Sequence, residues 1–276
     1  MRISIVTDSA TDIPDEMAAA LEIEVVPAVL VIDGHNSEDG KDLSRKEFYV
    51  RLPAMKTPPS TSSPSLGSFQ KVYEGLLSRG ADQIISIHVA GSLSSIFNTA
   101  QMAAQSFGEQ IRMIDTGTVS LAAGYQVIAA AEAALKADST EQVLQNIASI
   151  RPRIHLVALL DSLEYVRRSG RVSWARSSLG TLLQIKPFLS VSDGKVIRLG
   201  EARTRKKGIL HLTELLIELG PLERLAILHS NAEADALQLK AEFSSQSATP
   251  TLVVNVTTVI GTHVGPNGLG FVAVTK

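Results

Sequence analysis

The stretch Gln83-Ile84-Ile85-Ser86-Ile87-His88, followed by the loop Gly91-Ser92-Leu93-Ser94-Ser95 and the helical run Leu93–Phe107, decides the fold class. Three isoleucines within six residues suit a buried strand, and the apolar spacing after it suits a helix. The same alternation extends to both sides. Ile3–Thr7 reads as a strand, Pro14–Leu21 as a helix with Pro in its first turn, and Glu24–Ile32 as a strand ending at the turn Asp33-Gly34. Ser44–Leu52 reads as a helix whose cap Ser44 is answered by Glu47 three residues on. Pro64–Arg79 is a further helix, Ile111–Ile114 a strand, and Val119–Lys136 and Ser139–Ile150 are helices. Strands separated by helices imply a mostly parallel sheet covered on both faces.

From Arg153 the pattern changes. Strand Ile154–Leu160 leads to helical material at Ser162–Arg168 and Trp174–Leu183, and Ile185–Val191 and Lys195–Ala202 flank Asp193-Gly194. That dipeptide between two β-like runs is a hairpin signal, so antiparallel pairing enters here. Helix Lys207–Leu219, strand Arg224–His229, helix Ala232–Phe243 and strands Thr251–Thr257 and Gly270–Thr275 complete the chain. The expectation is a two-lobed α/β protein. Residues 1–151 form a lobe with a mostly parallel sheet, and residues 152–276 a mixed, partly antiparallel α/β lobe, with a ligand between them.

The chain has 276 residues, 26 Lys and Arg against 28 Asp and Glu, and no Cys. A net charge of −2 argues against a surface built to hold nucleic acid. Without cysteine there is no disulfide framework, thiolate nucleophile or Cys-ligated metal, and a cytoplasmic location is expected. The start Met1-Arg2-Ile3-Ser4-Ile5-Val6-Thr7-Asp8 lacks the apolar core of a signal peptide, and no run approaches the ~18 apolar residues of a membrane span. The charge is unevenly spread. Tyr165–Lys207 holds eleven bases and two acids, a local +9 on a chain otherwise at −11.

No phosphate-binding glycine loop, no G-x-S-x-G elbow and no H-E-x-x-H occurs, and the six histidines never fall at metal-ligand spacing. Neither a metal nor a cofactor is expected. The chain offers instead hydroxyls in stiff loops. Four of its eleven prolines lie within residues 53–64, beside Ser60-Thr61-Ser62-Ser63. Pro locks φ, so such a loop holds hydroxyls at low entropic cost, and at a helix start they make a seat for an anion; alternatively Ser63 simply caps the helix. Gly91-Ser92-Leu93-Ser94-Ser95 sits after a strand, at the end of a parallel sheet where ligands bind, or supplies one cap. Asp8-Ser9-Ala10-Thr11-Asp12 and Asp115-Thr116-Gly117-Thr118 are either functional carboxylate loops or plain turns. Gly261-Thr262-His263-Val264-Gly265-Pro266-Asn267-Gly268 reads as a loop that presents His263, or holds a structural histidine. Arg203 ends a strand.

Taken in order, Thr7-Asp8-Ser9, Thr61-Ser62-Ser63-Pro64-Ser65, Leu93-Ser94, Leu163-Glu164-Tyr165-Val166-Arg167-Arg168-Ser169-Gly170-Arg171-Val172, Ile185-Lys186-Pro187, Arg203 and Gly261-Thr262-His263-Val264-Gly265-Pro266 resemble the DegV family across essentially the whole chain. The resemblance implies a bacterial fatty-acid-binding protein without catalysis of its own. Such a protein holds a long-chain fatty acid in an apolar tunnel and presents its carboxyl group to a fatty acid kinase subunit, giving an acyl phosphate for phospholipid synthesis. It implies Thr61 and Ser94, with Ser62 and Ser95 beside them, as the carboxyl ligands, and Arg203 and His263 near the head group. The basic run with Arg167, Arg168 and Arg171 is the expected docking face for an acidic kinase partner. The chain departs from the family pattern at Leu93-Ser94-Ser95-Ile96-Phe97, where Leu-Ser-Gly-Thr-Tyr is usual, and at Asn267, so Ser95 and Asn267 stand where glycines are usual. Low aromatic content, at 4%, suits an aliphatic tunnel. The rival reading is a hydrolase or transferase of a small acyl or phosphoryl substrate using Asp8, Ser94 and His263; a third is a regulatory interaction protein.

Overall fold

A computed structural model describes residues 1–136, 139–176 and 185–276. Residues 177–183 of the expected helix Trp174–Leu183 lie outside the described residues. The strands are β1 Ile3–Asp8, β2 Ile23–Val26, β3 Val29–Ile32, β4 His35–Glu38, β5 Ser60–Ser62, β6 Gln83–His88, β7 Ile111–Asp115, β8 Ile154–Leu159, β9 Lys186–Ser192, β10 Lys195–Ala202, β11 Leu222–His229, β12 Leu252–Asn255 and β13 Leu269–Thr275. Contacts gather the chain into two units: residues 1–29, 62–152 and 193–195, and residues 30–61, 153–192 and 196–276. Residues 30–61 thus pack with the second unit although they lie on the amino-terminal side of position 151.

The first unit is built on a four-stranded sheet in the order β2-β1-β6-β7, all parallel. In β6 the residues from Ile84 to His88 are buried on both faces of the strand. Ser86 and His88 face the helix Leu66–Ser78, meeting Tyr73 and Phe69. Ile85 and Ile87 point the other way and are fully buried, on the side the helix Ser120–Ala134 packs against. That helix is buried on nearly every side, which explains its run of Ala and Gly in place of an amphipathic stripe.

The second unit contains a six-stranded sheet in the order β10-β9-β8-β13-β11-β12. Among the described residues β11 and β12 pair parallel, while β8–β9, β8–β13 and β11–β13 are antiparallel, with Ile227 opposite Phe271. Phe188, Phe243 and Phe271 anchor its core against the helices Arg205–Ile217 and Glu233–Phe243. The β9–β10 hairpin turns at Asp193 (φ 49°) and Gly194 (φ 71°), the pair of left-handed residues that a two-residue turn requires. A smaller sheet has the order β4-β3-β5.

Several expected bounds shift for local reasons. The expected strand Glu24–Ile32 is two strands in different sheets, split around Pro27, which has no N–H for a ladder. The helix expected from Pro64 starts at Leu66, and its cap is Ser65, whose Oγ accepts from Ser68 N at 3.0 Å; Ser63 is not the cap. The helix expected from Leu93 starts at Ile96. His263 lies in the last turn of a helix, Thr258–Val264, where a loop was expected. Among the described residues no helix is long and apolar enough to cross a membrane.

Candidate functional site

In the first unit the loops after β1, β6 and β7 are tied together by carboxylates. Asp115 accepts from Gly91 N at 3.0 Å and from Gly117 N at 2.8 Å, which ties the loop after β6 to the loop after β7. Ser92 Oγ donates to Gly194 O at 2.6 Å, and Gly194 N donates to Gly117 O at 2.7 Å. Asp115 is therefore a turn brace. The rest of the loop, Leu93 to Ser95, makes the approach to the helix Ile96–Ala104. Ser94 is half-buried, and its Oγ accepts a long contact from Ile96 N at 3.3 Å. Ser95 is exposed at φ −74°, ψ −2°, a right-handed conformation open to any L-residue, so a side chain in place of the usual glycine leaves the backbone unstrained.

Asp8 is fully buried, and both of its oxygens are used. Oδ1 accepts from Ala10 N at 3.0 Å, while Oδ2 meets His88 Nδ1 at 2.9 Å and Val89 N at 3.3 Å. His88 Nε2 meets Ser86 Oγ at 2.7 Å, and Ser86 Oγ meets the Tyr73 hydroxyl at 2.8 Å. Burial pushes the Tyr73 hydroxyl up to about 12. This Asp8–His88–Ser86–Tyr73 chain has the residue types of a charge-relay system, but Asp8, His88, Ser86 and Tyr73 are all 0% exposed. A carboxylate so enclosed does not reach a substrate. The candidacy of Asp8 as a general base is thereby corrected: it braces the sheet.

In the second unit Thr61, in the middle of β5, meets His263: Thr61 Oγ1 lies 2.9 Å from His263 Nε2. These are two of the residues singled out from the sequence, 202 positions apart, and the fold brings them into contact. Burial, reinforced by the positive field of Arg171, pushes His263 down to about 4, so the imidazole is neutral at ordinary pH. Among the described residues, its Nδ1 is buried with no hydrogen-bond partner. A buried orphan N–H is rarer than an under-used acceptor, which favours the tautomer with its proton on Nε2. That proton donates to Thr61 Oγ1, and the Thr61 hydroxyl hydrogen is left to donate elsewhere. The pair thus presents a neutral, oriented O–H donor, suited to one carboxyl oxygen.

The other candidates make no hydrogen bond to this pair among the described residues, although Arg171 is near enough for its charge to act on His263. Ser62 is exposed, with its Oγ 3.4 Å from Ser63 O. Arg203 is exposed just past the end of β10. Arg168 pairs with Glu164 and lies over the Tyr165 ring, 6.0 Å from its centroid, while Arg171 is exposed and donates to Ser169 O at 2.8 Å. Arg167 is half-buried on the same short helix, Glu164–Ser169. The basic stretch is weaker as a field than its count suggests. Lys186 pairs with Asp161, Arg205 with Asp235 and Arg198 with Glu201. Asn267 has φ 61°, the left-handed region that Asn enters more readily than other side chains, so it keeps the backbone shape expected of the glycine it replaces. Among the described residues no group of His, Asp or Glu side chains could hold a metal ion.

The state of His263 has a measurable consequence. Unfolded His263 takes up a proton near its ordinary value of 6.5, whereas the folded one does so only near 4. Stability is therefore full above pH 6.5 and declines as pH falls from 6.5 toward 4, by at most about 3 kcal/mol from this group. His263→Gln removes that part of the slope. Denaturant titrations at the two ends of this window should show a smaller loss for the variant than for the unmodified chain; equal losses would contradict the assignment.

Residues 2–276 match the family described as "Uncharacterised protein, DegV family". The chain is 34% identical to a DegV domain-containing protein of Deinococcus radiodurans over 274 residues, 98% of this chain and 97% of that one. Its fold superposes with a TM-score of 0.91 on a structure described as fatty acid binding of a DegV family protein from Thermus thermophilus, at 32% identity and 100% coverage of both chains. A second structure, described as DegV, a fatty acid binding protein from Bacillus subtilis, superposes with a TM-score of 0.87 at 30% identity, again over 100% of both chains.

Proposed function

The chain belongs to the DegV family, and we propose that it binds one long-chain fatty acid, with the carboxyl group held by the hydroxyls of Thr61 and Ser94. The observation that carries this reading is the Thr61–His263 contact at 2.9 Å: a neutral imidazole with its proton on Nε2 would leave the Thr61 hydroxyl hydrogen to donate to a ligand. Structures that superpose over 100% of both chains and are described as fatty-acid-binding support the choice of ligand. Each buried CH₂ contributes about 0.8 kcal/mol, so an acyl chain supplies most of the affinity and the head group needs only a few donors. Hydroxyl groups donate to a carboxylate without neutralising it, which leaves the group reactive.

The same proposal assigns a partner. The protein hands the carboxyl group to a fatty acid kinase subunit, which makes the acyl phosphate for phospholipid synthesis, and catalyses nothing alone. Arg203 and His263 lie near the transferred group, and Arg167, Arg168 and Arg171 face an acidic surface of the kinase. The location is cytoplasmic. Arg171 and Arg203 are exposed, and Arg168 is held by Glu164, so Arg171 is the stronger docking candidate of the run. Reversing Arg167 and Arg171 to Glu should slow acyl phosphate formation in a kinase assay, more so at low salt, while lipid binding persists; an unchanged rate would reject the docking face. Mass analysis of lipid extracted from the purified protein tests the ligand itself. A long-chain fatty acid is the expected content, and a protein that hydrolyses an acyl or phosphoryl ester instead would favour the enzyme reading.

A further inference from the structure

The helix Thr258–Val264 carries His263, yet the structure shows no side-chain cap from its own neighbour, Thr257. The carboxylate at its start comes from far away in sequence. Asp39 Oδ1 accepts from Thr258 N at 3.2 Å and from Thr258 Oγ1 at 2.6 Å, across 219 positions. Asp39 is only 7% exposed, and among the described residues its second oxygen, Oδ2, is buried without a hydrogen bond. A buried carboxylate is expensive to desolvate, and a Ser or Thr at the helix start would satisfy the same amide at lower cost. What the remote carboxylate adds is position.

Three further links join the same two segments. Arg45 Nη1 donates to Asn255 O at 2.5 Å, the Tyr49 hydroxyl donates to Val256 O at 3.0 Å, and Thr61 meets His263 at 2.9 Å. Gly261 lets the Tyr49 ring lie directly on the helix, since a Cβ there would overlap the ring and its hydroxyl. Residues 39–61 therefore grip the helix at its start, before its start and at its last turn. A shift at Thr258 moves His263 five residues on, because a short helix travels as a rigid body.

We infer that Asp39 is a positioning residue for the Thr61 hydroxyl, acting through the helix Thr258–Val264 and His263. It touches no ligand. The inference rests on the head-group reading above and extends it to a residue outside that site.

The test uses oleate and the full-length protein. Asp39→Ala should weaken oleate binding about tenfold, the scale of one misplaced hydrogen bond to a charged group. Asp39→Asn, which keeps an acceptor oxygen for Thr258, should restore most of that loss. Adding Asp39→Ala to Thr61→Val should weaken binding no further than Thr61→Val does, because both act on the same hydroxyl. Additive losses, or Asn no better than Ala, would overturn the inference. If Asp39→Ala does not fold, Thr258→Val, which removes only the hydroxyl contact, takes its place in the same comparison.

A readout without lipid separates the two claims. The ¹⁵N resonances of the His263 ring should move in Asp39→Ala and return in Asp39→Asn. Unmoved resonances overturn the positioning role even if oleate binds. Failure of the unmodified protein to bind oleate overturns the head-group reading, and the ring resonances then decide the positioning role alone.

Discussion

A protein carrying Thr61→Val and Ser94→Ala binds oleate at least about 100-fold more weakly than the unmodified chain in a calorimetric titration. The size follows from two hydrogen bonds to a charged carboxylate, each contributing about 1.5–3 kcal/mol when one partner is removed. Binding is reduced and not abolished, because the acyl chain keeps its apolar burial. Oleate methyl ester supplies the control. It has the same chain and a neutral carbonyl acceptor but no anionic oxygen, so its affinity should fall less between the two proteins than that of oleate. Val keeps the shape of Thr61 and its place in β5, which confines the change to the lost hydroxyl. Equal oleate affinities in the two proteins would remove the carboxyl group from Thr61 and Ser94.

The second large effect concerns stability. His88→Leu should lower the unfolding free energy by about 3–5 kcal/mol, measured by denaturant titration, since it strips a fully buried carboxylate of its main partner. Asp8 Oδ2 would retain only the 3.3 Å contact from Val89 N, and Ser86 Oγ would lose the ring nitrogen at 2.7 Å. Asp8→Asn should cost less, because an amide oxygen can still accept from Ala10 N. A nearly neutral His88→Leu would mean that the chain from Asp8 to Tyr73 is not a brace but a group with another task.

The alternation of Ile-rich strands and helices around Gln83–His88 was legible because period and turn chemistry act over a few residues. Asp193-Gly194 and the Ser44–Glu47 capping box were legible for the same reason, and each takes the geometry its residues favour. The helix Thr258–Val264 was not, because its cap is Asp39 and its glycine is set by Tyr49, neither of which is near in sequence. Proline placement misled at the helix that begins at Leu66: Pro64 suits a first turn, but the next residue, Ser65, is the better cap and takes that role. Thr61 and His263 were each singled out by loop composition and by family resemblance. Their contact is a product of tertiary structure, as is the burial that keeps His263 neutral. Asp8 shows the opposite error, since a carboxylate after a strand looks the same in sequence whether it faces solvent or a buried histidine.

The central claim is that this chain carries a fatty acid, and native mass spectrometry of delipidated protein titrated with oleate tests it most directly. The account predicts a single adduct of one oleate per chain, retained by the unmodified protein and largely lost from the Thr61→Val, Ser94→Ala variant. A protein that retains no oleate at any ratio, or retains it equally in both forms, would contradict it.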